Sequence, residues 1–592
     1  MAIPPGIELI FKDTEANPEA KNDPDAKNAI FPGPTQSILP NAFKLPFITL
    51  LLLKLLQQSP FGVNLPTWAW VAALVSVHPA NWIVSTLYNM HRVKKEAAAR
   101  GAILVPRVKG GIFELIGKIR NGYMAEGFFE WSRQYGQTYI FPIFGVDRIM
   151  TMEPEHIKAI LATQFDDFHK GEIDDQFNSL LGSGVFNSDG EFHRNMTRPF
   201  FSKVRISDYD VFERHAEETL SVLANRLAQG YPVDFQDAVA RFTLDSATQF
   251  LFGKAVDSTS AGLPYPPSSS SSYPSSSLAS SSSSETYLTH PSTKFVTAFA
   301  QGQQALAFRG IRGKYWRLFE FWKDEAAGYR KDVEEFVNPI LDEAVKSLRR
   351  KEKGDMESGS GSMKEVGEEE TFLEHLVKVT KDKKVVMDEL LNILLAARDT
   401  TASLLTFSVY VLTQRPDIVA RLKSEISEKV GFARRPTYED TREMKYLRAF
   451  LNGSYFQCGY SIFLMHRRED LWGPDALEFD PDRFLDERLH KYLIPNPFIF
   501  LPFNAGPRIC LGQQFAYNEA SYFLIKLLQK FDNFSHVLDV QPSQPPPEWK
   551  PEPGTTKGRD KVTLFSHLTM SVKDGLWIRM ENVHETLEEG QK

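Results

Sequence analysis

The sequence predicts a mainly α-helical globular domain with a small β part, placed behind an N-terminal membrane-attachment segment. Apolar residues recur at helical three- and four-residue spacings in segments such as FVTAFAQGQQALAF and VEEFVNPILDEAVKSL. Alternating strand patterns are few. Two apolar runs lie close to the N-terminus, between residues 45 and 90. A length of 592 residues allows two to four average domains, or one large domain with extensions. The 42% hydrophobic content suits a globular core, and a net charge of −7 gives no basic field for nucleic acid. Cys458 and Cys510 cannot build a disulfide framework. They point to a reducing compartment and to a metal-binding or catalytic thiolate.

Residues 1–44 form a polar, acidic, proline-containing tail without the pattern of a cleavable signal. Residues 45–90 form the attachment segment. LPFITLLLLKLL is shorter than the roughly 20 apolar residues a spanning helix needs. The run from Pro66 to Tyr88 is long enough, although His78, Pro79 and Asn81 interrupt it. Trp68, Trp70, Trp82 and Tyr88 read as interface anchors. Arg92, Lys94, Lys95 and Arg100 hold the following chain on the cytoplasmic face. Both a spanning and an interfacial helix fit, and the competing reading is a buried hairpin of the globular domain. Residues 91–592 make that domain. It carries a serine-rich insertion at 258–292 and a polar loop at 350–371, whose composition buries little apolar surface.

Asp388 to Gln414, DELLNILLAARDTTASLLTFSVYVLTQ, is apolar nearly all round and stops at Pro416. It predicts a buried helix about 40 Å long at 1.5 Å per residue. Asp399, Thr400 and Thr401 are costly in such a helix unless they are used or bond back to the helix itself. Further on, FNAGPRICLG places Cys510 just ahead of the helical segment LGQQFAYNEASYFLIKLLQKF. Free N–H groups at a helix start stabilise a thiolate. Gly506 and Gly512 let the backbone turn and approach a flat object, and Arg508 can reach an acidic group on it. With the aromatic Phe503, the set suits a haem iron with propionates. The bland alternative is a structural cysteine in a glycine loop.

FNAGPRICLG resembles the cytochrome P450 signature FxxGxRxCxG at Phe503, Gly506, Arg508, Cys510 and Gly512. The resemblance runs with gaps from about residue 100 to the C-terminus. LMHRREDLWGPDALEFDPDRFLDERL looks closest to fungal microsomal members that oxidise alkanes and fatty acids. It implies the P450 fold, haem b with Cys510 as the iron's axial ligand, O2 as co-substrate and a hydrophobic small-molecule substrate. It also implies an endoplasmic-reticulum membrane location with the catalytic domain facing the cytosol. No flavin or dinucleotide fingerprint is present, so electrons come from a separate NADPH-cytochrome P450 reductase. AARDTT resembles the family's AGxDTT segment. That likeness implies that Thr400 hydrogen-bonds dioxygen, that Asp399 relays protons, and that Ala397 stands where glycine is frequent.

NSDGEFHRNMTRPFF, Asn187 to Phe201, resembles the helix that holds a haem propionate, with Arg194 in the basic position and His193 before it. Gly190 stands where the family has tryptophan, and the segment looks shortened. FDPDRF resembles the loop whose arginine, here Arg483, locks onto a glutamate–arginine pair one helix earlier. That pair is missing. After MKYLRAFLN the chain reads GSYFQCGYSIFLMHRRED, with no ExxR at the right offset. Glu439 and Arg442 form a nominal ExxR upstream of the matching helix and are read as a decoy. The competing functional class is therefore a membrane-anchored remnant that catalyses nothing.

Overall fold

The computed structural model describes residues 38–58, 65–109, 117, 122–143, 146–171, 173–188, 192–201, 209–267, 287–358, 370–454, 460–566 and 568–583. Gly190, Cys458 and most of the N-terminal tail and serine-rich insertion lie outside these residues. Contacts divide the chain into two units, residues 1–107 with 314–324, and 108–313 with 325–592.

The first unit holds helices α1, Ile38–Gln58, and α2, Thr67–Arg100. The two sequence runs therefore extend beyond the expected 45–90 segment at both ends. α2 continues through Pro79 and closes on Gly101, which takes a left-handed φ of 65° and returns its N–H to Ala97 and Ala98. Among the described residues α2 alone is long and apolar enough to cross a membrane, and none of its most apolar stretch is buried. Trp68, Val75, Leu87 and Tyr88 are all exposed.

The second unit is built around helices. Those that bear on the site are, in chain order, α3 (Ile173–Leu181), α4 (Phe192–Thr197), α5 (Tyr209–Ala228), α6 (Phe235–Phe252), α7 (Pro291–Arg312), α8 (Glu325–Ser358), α9 (Lys383–Leu412), α10 (Pro416–Lys429), α11 (Lys445–Ser454) and α12 (Gln513–Lys530). The strands are small. β1 (Thr138–Ile143) and β2 (Val146–Thr151) pair antiparallel, with Thr138 opposite Thr151. A three-stranded sheet has the order β3–β7–β4, from Val233–Asp234, Trp577–Asn582 and Phe531–His536. β5 (Leu564–Ser566) pairs with β6 (Met570–Val572). The mainly α reading with a small β part holds.

α9 is the axis of this unit. It starts earlier than its apolar pattern because Asp382 caps it, its carboxylate accepting the Lys384 N–H at 2.8 Å. Its first half joins α3, α7 and α8 in one core cluster, and its second half joins α5, α6 and α12 in another. Phe242 against Phe523 and Phe250 against Phe515, with ring centroids 4.5 and 4.6 Å apart, tie α6 to α12.

The serine-rich insertion begins later than composition suggests. Ser258 is fully buried, with its N–H 2.6 Å from the Asp245 carboxylate. Leu263 is buried as well, and Arg226 donates to the carbonyls of Leu263 and Pro264 while stacking 3.5 Å from the Tyr265 ring centre. At the far end, His290 caps α7. Apolar Leu263 and the buried carboxylate Asp245 order flanks that a count of serines misses.

Candidate active site

Cys510 lies three residues ahead of α12, whose cap is Gly512. Its backbone N–H bonds the Phe503 carbonyl at 2.9 Å, closing the loop on itself. Phe503 is buried and packs on Tyr517 at 5.0 Å. Gly506 adopts φ +58°, and a Cβ there would sit 2.2 Å from the Leu161 carbonyl oxygen, so the turn requires glycine. Arg508 donates to the Phe168 carbonyl and lies 4.9 Å from the Phe165 ring centre. The Cys510 side chain is exposed. Enough protein surrounds it for burial to raise the thiol pKa, against the lowering pull of the Gly512 N–H and the Arg194 charge.

Arg194, on α4, donates from Nη2 to the Ile509 carbonyl at 3.0 Å. His193 turns the other way, with Nδ1 on Oε1 of the fully buried Glu389 of α9. The two residues expected to serve the cofactor thus point to different partners. Only Arg194 reaches the cysteine loop, because the buried carboxylate draws in the imidazole.

α9 is buried from Val386 to Leu395 and again from Thr401 onward, yet Ala396 and Thr400, one turn apart, are exposed. A recess therefore reaches the middle of this core helix. The Thr400 hydroxyl donates to the Ala396 carbonyl at 2.6 Å, the back-bond that sequence allowed as the alternative use. Its oxygen keeps a lone pair to accept with. Asp399 is half-buried and held on both oxygens, by Arg398 Nη1 and by Gln303 Nε2 of α7, each at 2.7 Å.

The family model for cytochrome P450 matches residues 109–453 and 456–560. The chain is a cytochrome P450. It is 33% identical to cytochrome P450 52A5 of Candida maltosa over 79% of this chain and 88% of the relative. It is 30% identical to cytochrome P450 52A13 of Debaryomyces hansenii over 86% and 92%. The family brings a haem whose iron takes a cysteine thiolate. The residues of this P450 fit that group, since Cys510 is the free cysteine among the described residues, is accessible, and has a helix-start N–H and an arginine beside it.

The P450 match is interrupted between residues 453 and 456, just after the segment MKYLRAFLN, where the sequence lacks ExxR. Gly453 is buried near the end of α11. Glu439 and Arg442 are both exposed, as their reading as a decoy requires. Arg483 is 4% exposed, and its Nη2 donates to the carbonyls of Asp475 at 2.8 Å and Glu478 at 3.0 Å. Its Nη1 is buried with no partner.

Sequence reading missed three features of this P450. Asp388, Glu389 and Asn392 of α9 clamp residues 183–186: Asp388 takes the Ser183 N–H, Asn392 the Phe186 N–H, both at 2.9 Å. Arg330 of α8 adds a 2.6 Å contact to Asp388. Gly182 makes the approach possible, since a Cβ there would meet the Asp388 carboxyl at 1.9 Å. Second is Gln303 on Asp399. Third is Glu519 of α12, fully buried, which accepts from Ser246 and lies beside Thr401. Polar Asp388, Glu389 and Asn392 in an apolar helix were the available signal for the first.

Proposed function

We propose that this P450 is a membrane-attached monooxygenase that inserts one oxygen atom from O2 into an apolar substrate, an alkane, a fatty acid or a similar hydrophobic compound. Electrons come from an NADPH-cytochrome P450 reductase, and the catalytic domain faces the cytosol on the endoplasmic reticulum. The observation that carries the reading is Cys510, accessible in a glycine-bounded loop at the start of α12 with Arg194 beside it. When bound, the haem activates dioxygen and transfers one oxygen atom to a C–H bond.

The chain's own part is to hold a thiolate and to meter protons. Cys510 loses its proton on coordination, which offsets the upward push that burial gives the free thiol. The Gly512 N–H and Arg194 stabilise the resulting negative charge. Thr400 is the exposed hydroxyl in the recess of α9, placed to accept or pass a proton at Oγ1. Asp399 holds its carboxylate one residue away, restrained by Gln303 and Arg398, so a proton reaches Thr400 only when one of those contacts loosens. Phe503 and Gly506 shape the cofactor's bed, and Arg508 braces the loop from beneath.

A second reading has one observation in its favour. The unpartnered Nη1 of Arg483, at the gap left by the missing ExxR, supports a catalytically silent remnant. A carbon-monoxide difference spectrum of the reduced, purified protein separates the two. A Soret band near the wavelength that names the family supports the monooxygenase, and absence of haem absorbance supports the remnant.

A further inference from the structure

Helices α6 and α12 meet along a seam of rungs at one-turn spacing. Phe242 faces Phe523 and Phe250 faces Phe515, and between these aromatic rungs the Ser246 hydroxyl donates to Oε1 of Glu519. Both members of the middle rung are fully buried. An apolar pair there would hold the seam about as well, because replacing both partners of a buried hydrogen bond by apolar groups is close to neutral. The polar rung has a third neighbour, Thr401 of α9, the residue after Thr400. We infer that Glu519 is a positioning residue for Thr400, its carboxylic acid tying the turn of α9 that presents Thr400 to the helix that starts at the Cys510 loop. The inference rests on the proton-passing role proposed for Thr400.

The outer side of that turn is the recess, where Ala396 and Thr400 are exposed. Thr400 spends its hydroxyl proton on the Ala396 carbonyl, within its own helix. Asp399 reaches α7 through Gln303, and Ser403 ties the following half-turn to the Met570 carbonyl at 2.6 Å. Thr401 stands between these two ties and is fully buried. Its hydroxyl and Glu519 Oε2 have no other partner. Two unmet polar groups in a core are costly apart and satisfied together.

The protonation state suits the task. Burial pushes the Glu519 carboxyl pKa up to about 8, and no charged group acts against that. At neutral pH the group is therefore an acid with a donor on one oxygen and an acceptor on the other. Oε1 accepts from Ser246 while the proton on Oε2 goes to Thr401 Oγ1, so one side chain joins α6, α9 and α12. Glutamine reproduces this pattern, with an acceptor oxygen and a donor nitrogen, whereas leucine keeps much of the volume and loses both bonds. Without the tie, Thr400 keeps its hydroxyl and loses its fixed place.

The test is amide hydrogen exchange on the full chain in detergent, read as a ratio within α9. The peptide spanning residues 400–406 is compared with the one spanning 386–392. A general loss of stability speeds both together, whereas loss of the tie speeds only the first. Expected is an unchanged ratio in Glu519→Gln and a rise of about tenfold in Glu519→Leu, the loss of one net hydrogen bond. Thr401→Val should raise the ratio similarly, and the double variant no further, since both substitutions remove one contact. Should Glu519→Leu fail to fold, Thr401→Val beside Glu519→Gln makes the same comparison. Thr400→Ala should leave the ratio in place, which separates a failure of the tie from a failure of Thr400 in proton delivery. In the haem-loaded fraction, with a reductase present, peroxide released per NADPH should rise in Glu519→Leu and stay level in Glu519→Gln. Equal rises in the Gln and Leu variants, peptides that speed together, a double variant that adds the single effects, or unmoved peroxide in Glu519→Leu overturns the assignment.

Discussion

Arg194 places its Nη2 3.0 Å from the carbonyl oxygen of Ile509, the residue before Cys510, and so brings a positive charge to the cysteine loop from a different helix. That charge lowers the thiol pKa while burial raises it. Arg194→Ala therefore removes a lowering influence, and the thiol's titration moves to higher pH. In a Cys458→Ser background, the rate of Cys510 alkylation by iodoacetamide should show its inflection shifted upward. An unmoved inflection would show that Arg194 serves only to brace the loop. Cys510→Ala should abolish the thiolate spectrum and activity, whereas Cys458→Ala should preserve both.

Thr400 is the one exposed hydroxyl of the ARDTT segment, with Asp399 held one residue away by Gln303 and Arg398. Thr400→Ala should leave haem and substrate binding in place but release reducing equivalents as hydrogen peroxide. Product formed per NADPH consumed should drop by about tenfold or more, in keeping with the loss of a positioned proton donor. Thr400→Ser should retain coupling. Gln303→Leu should also change coupling, because it frees one oxygen of Asp399. Unchanged stoichiometry in Thr400→Ala removes the residue from proton delivery.

How much of this was legible in the sequence depends on whether local pattern or distant packing decides. The Cys510 loop was legible because five fixed residues and the helix after them lie within one short stretch. α9 was legible because its apolar run leaves no other reading. The contact of His193 with Glu389 was not legible because the two lie 196 positions apart, and no local rule links an imidazole to a carboxylate on another helix. The clamp on residues 183–186 and the contact of Ser246 with Glu519 are equally non-local. The start of the serine-rich insertion was missed because a buried Asp245 recruits the N–H groups of Ser258 and Thr259. Composition assigns such residues to solvent.

Glu519 makes stability depend on pH. Burial pushes its carboxyl pKa up to about 8, and hydrogen bonds from Ser246 and Thr401 offset only part of that. The group is then protonated in the folded chain at neutral pH and ionised in the unfolded chain. Its Oε2 and the Thr401 hydroxyl have no other partner, so a proton on Oε2 satisfies both. A raised folded pKa gives stability that is fully present below about pH 4.5 and is lost as pH rises to about 8. The slope within that window approaches 1.4 kcal/mol per pH unit for one proton. Glu519→Gln should flatten this slope in denaturant melts run from pH 5 to 8 while leaving the fold intact. A slope that survives the substitution would assign the dependence to other groups.

The N-terminal unit predicts a change of compartment. α2 exposes Trp68, Val75, Leu87 and Tyr88 around an apolar helix, a surface that lipid would cover. Removing residues 1–100 should move the protein from the membrane pellet to the supernatant of lysed cells. The full chain should pellet unless detergent is added. A full chain that stays in the supernatant without detergent refutes the anchor.

The riskiest prediction concerns Arg483. A buried guanidinium is stabilising only when its donors are met, and here Nη1 is not. The resemblance to the family implies a glutamate and an arginine one helix earlier, where this chain reads GSYFQC after Asn452 and the family match is interrupted between residues 453 and 456. A cavity of about 280 Å³ lies beside Arg483 and Gly453. Unpaired burial of one charge costs several kcal/mol, a large share of the 5–15 kcal/mol that holds a typical domain together. α11 also reaches the cysteine side of the fold, because Asn452 accepts from the Tyr517 hydroxyl of α12 at 2.6 Å and Tyr517 packs on Phe503. A shift at the end of α11 would thus be felt at Phe503, beside the Cys510 loop. The chain as written should retain haem weakly and turn over slowly or not at all. A chain with a family-like ExxR segment restored between Asn452 and Ser461 should bind haem one-to-one, melt several degrees higher and gain activity. Haem content measured by pyridine haemochrome, beside the melting temperature, checks both halves. Equal haem occupancy and equal turnover in the two chains would show that Arg483 does not need the missing pair.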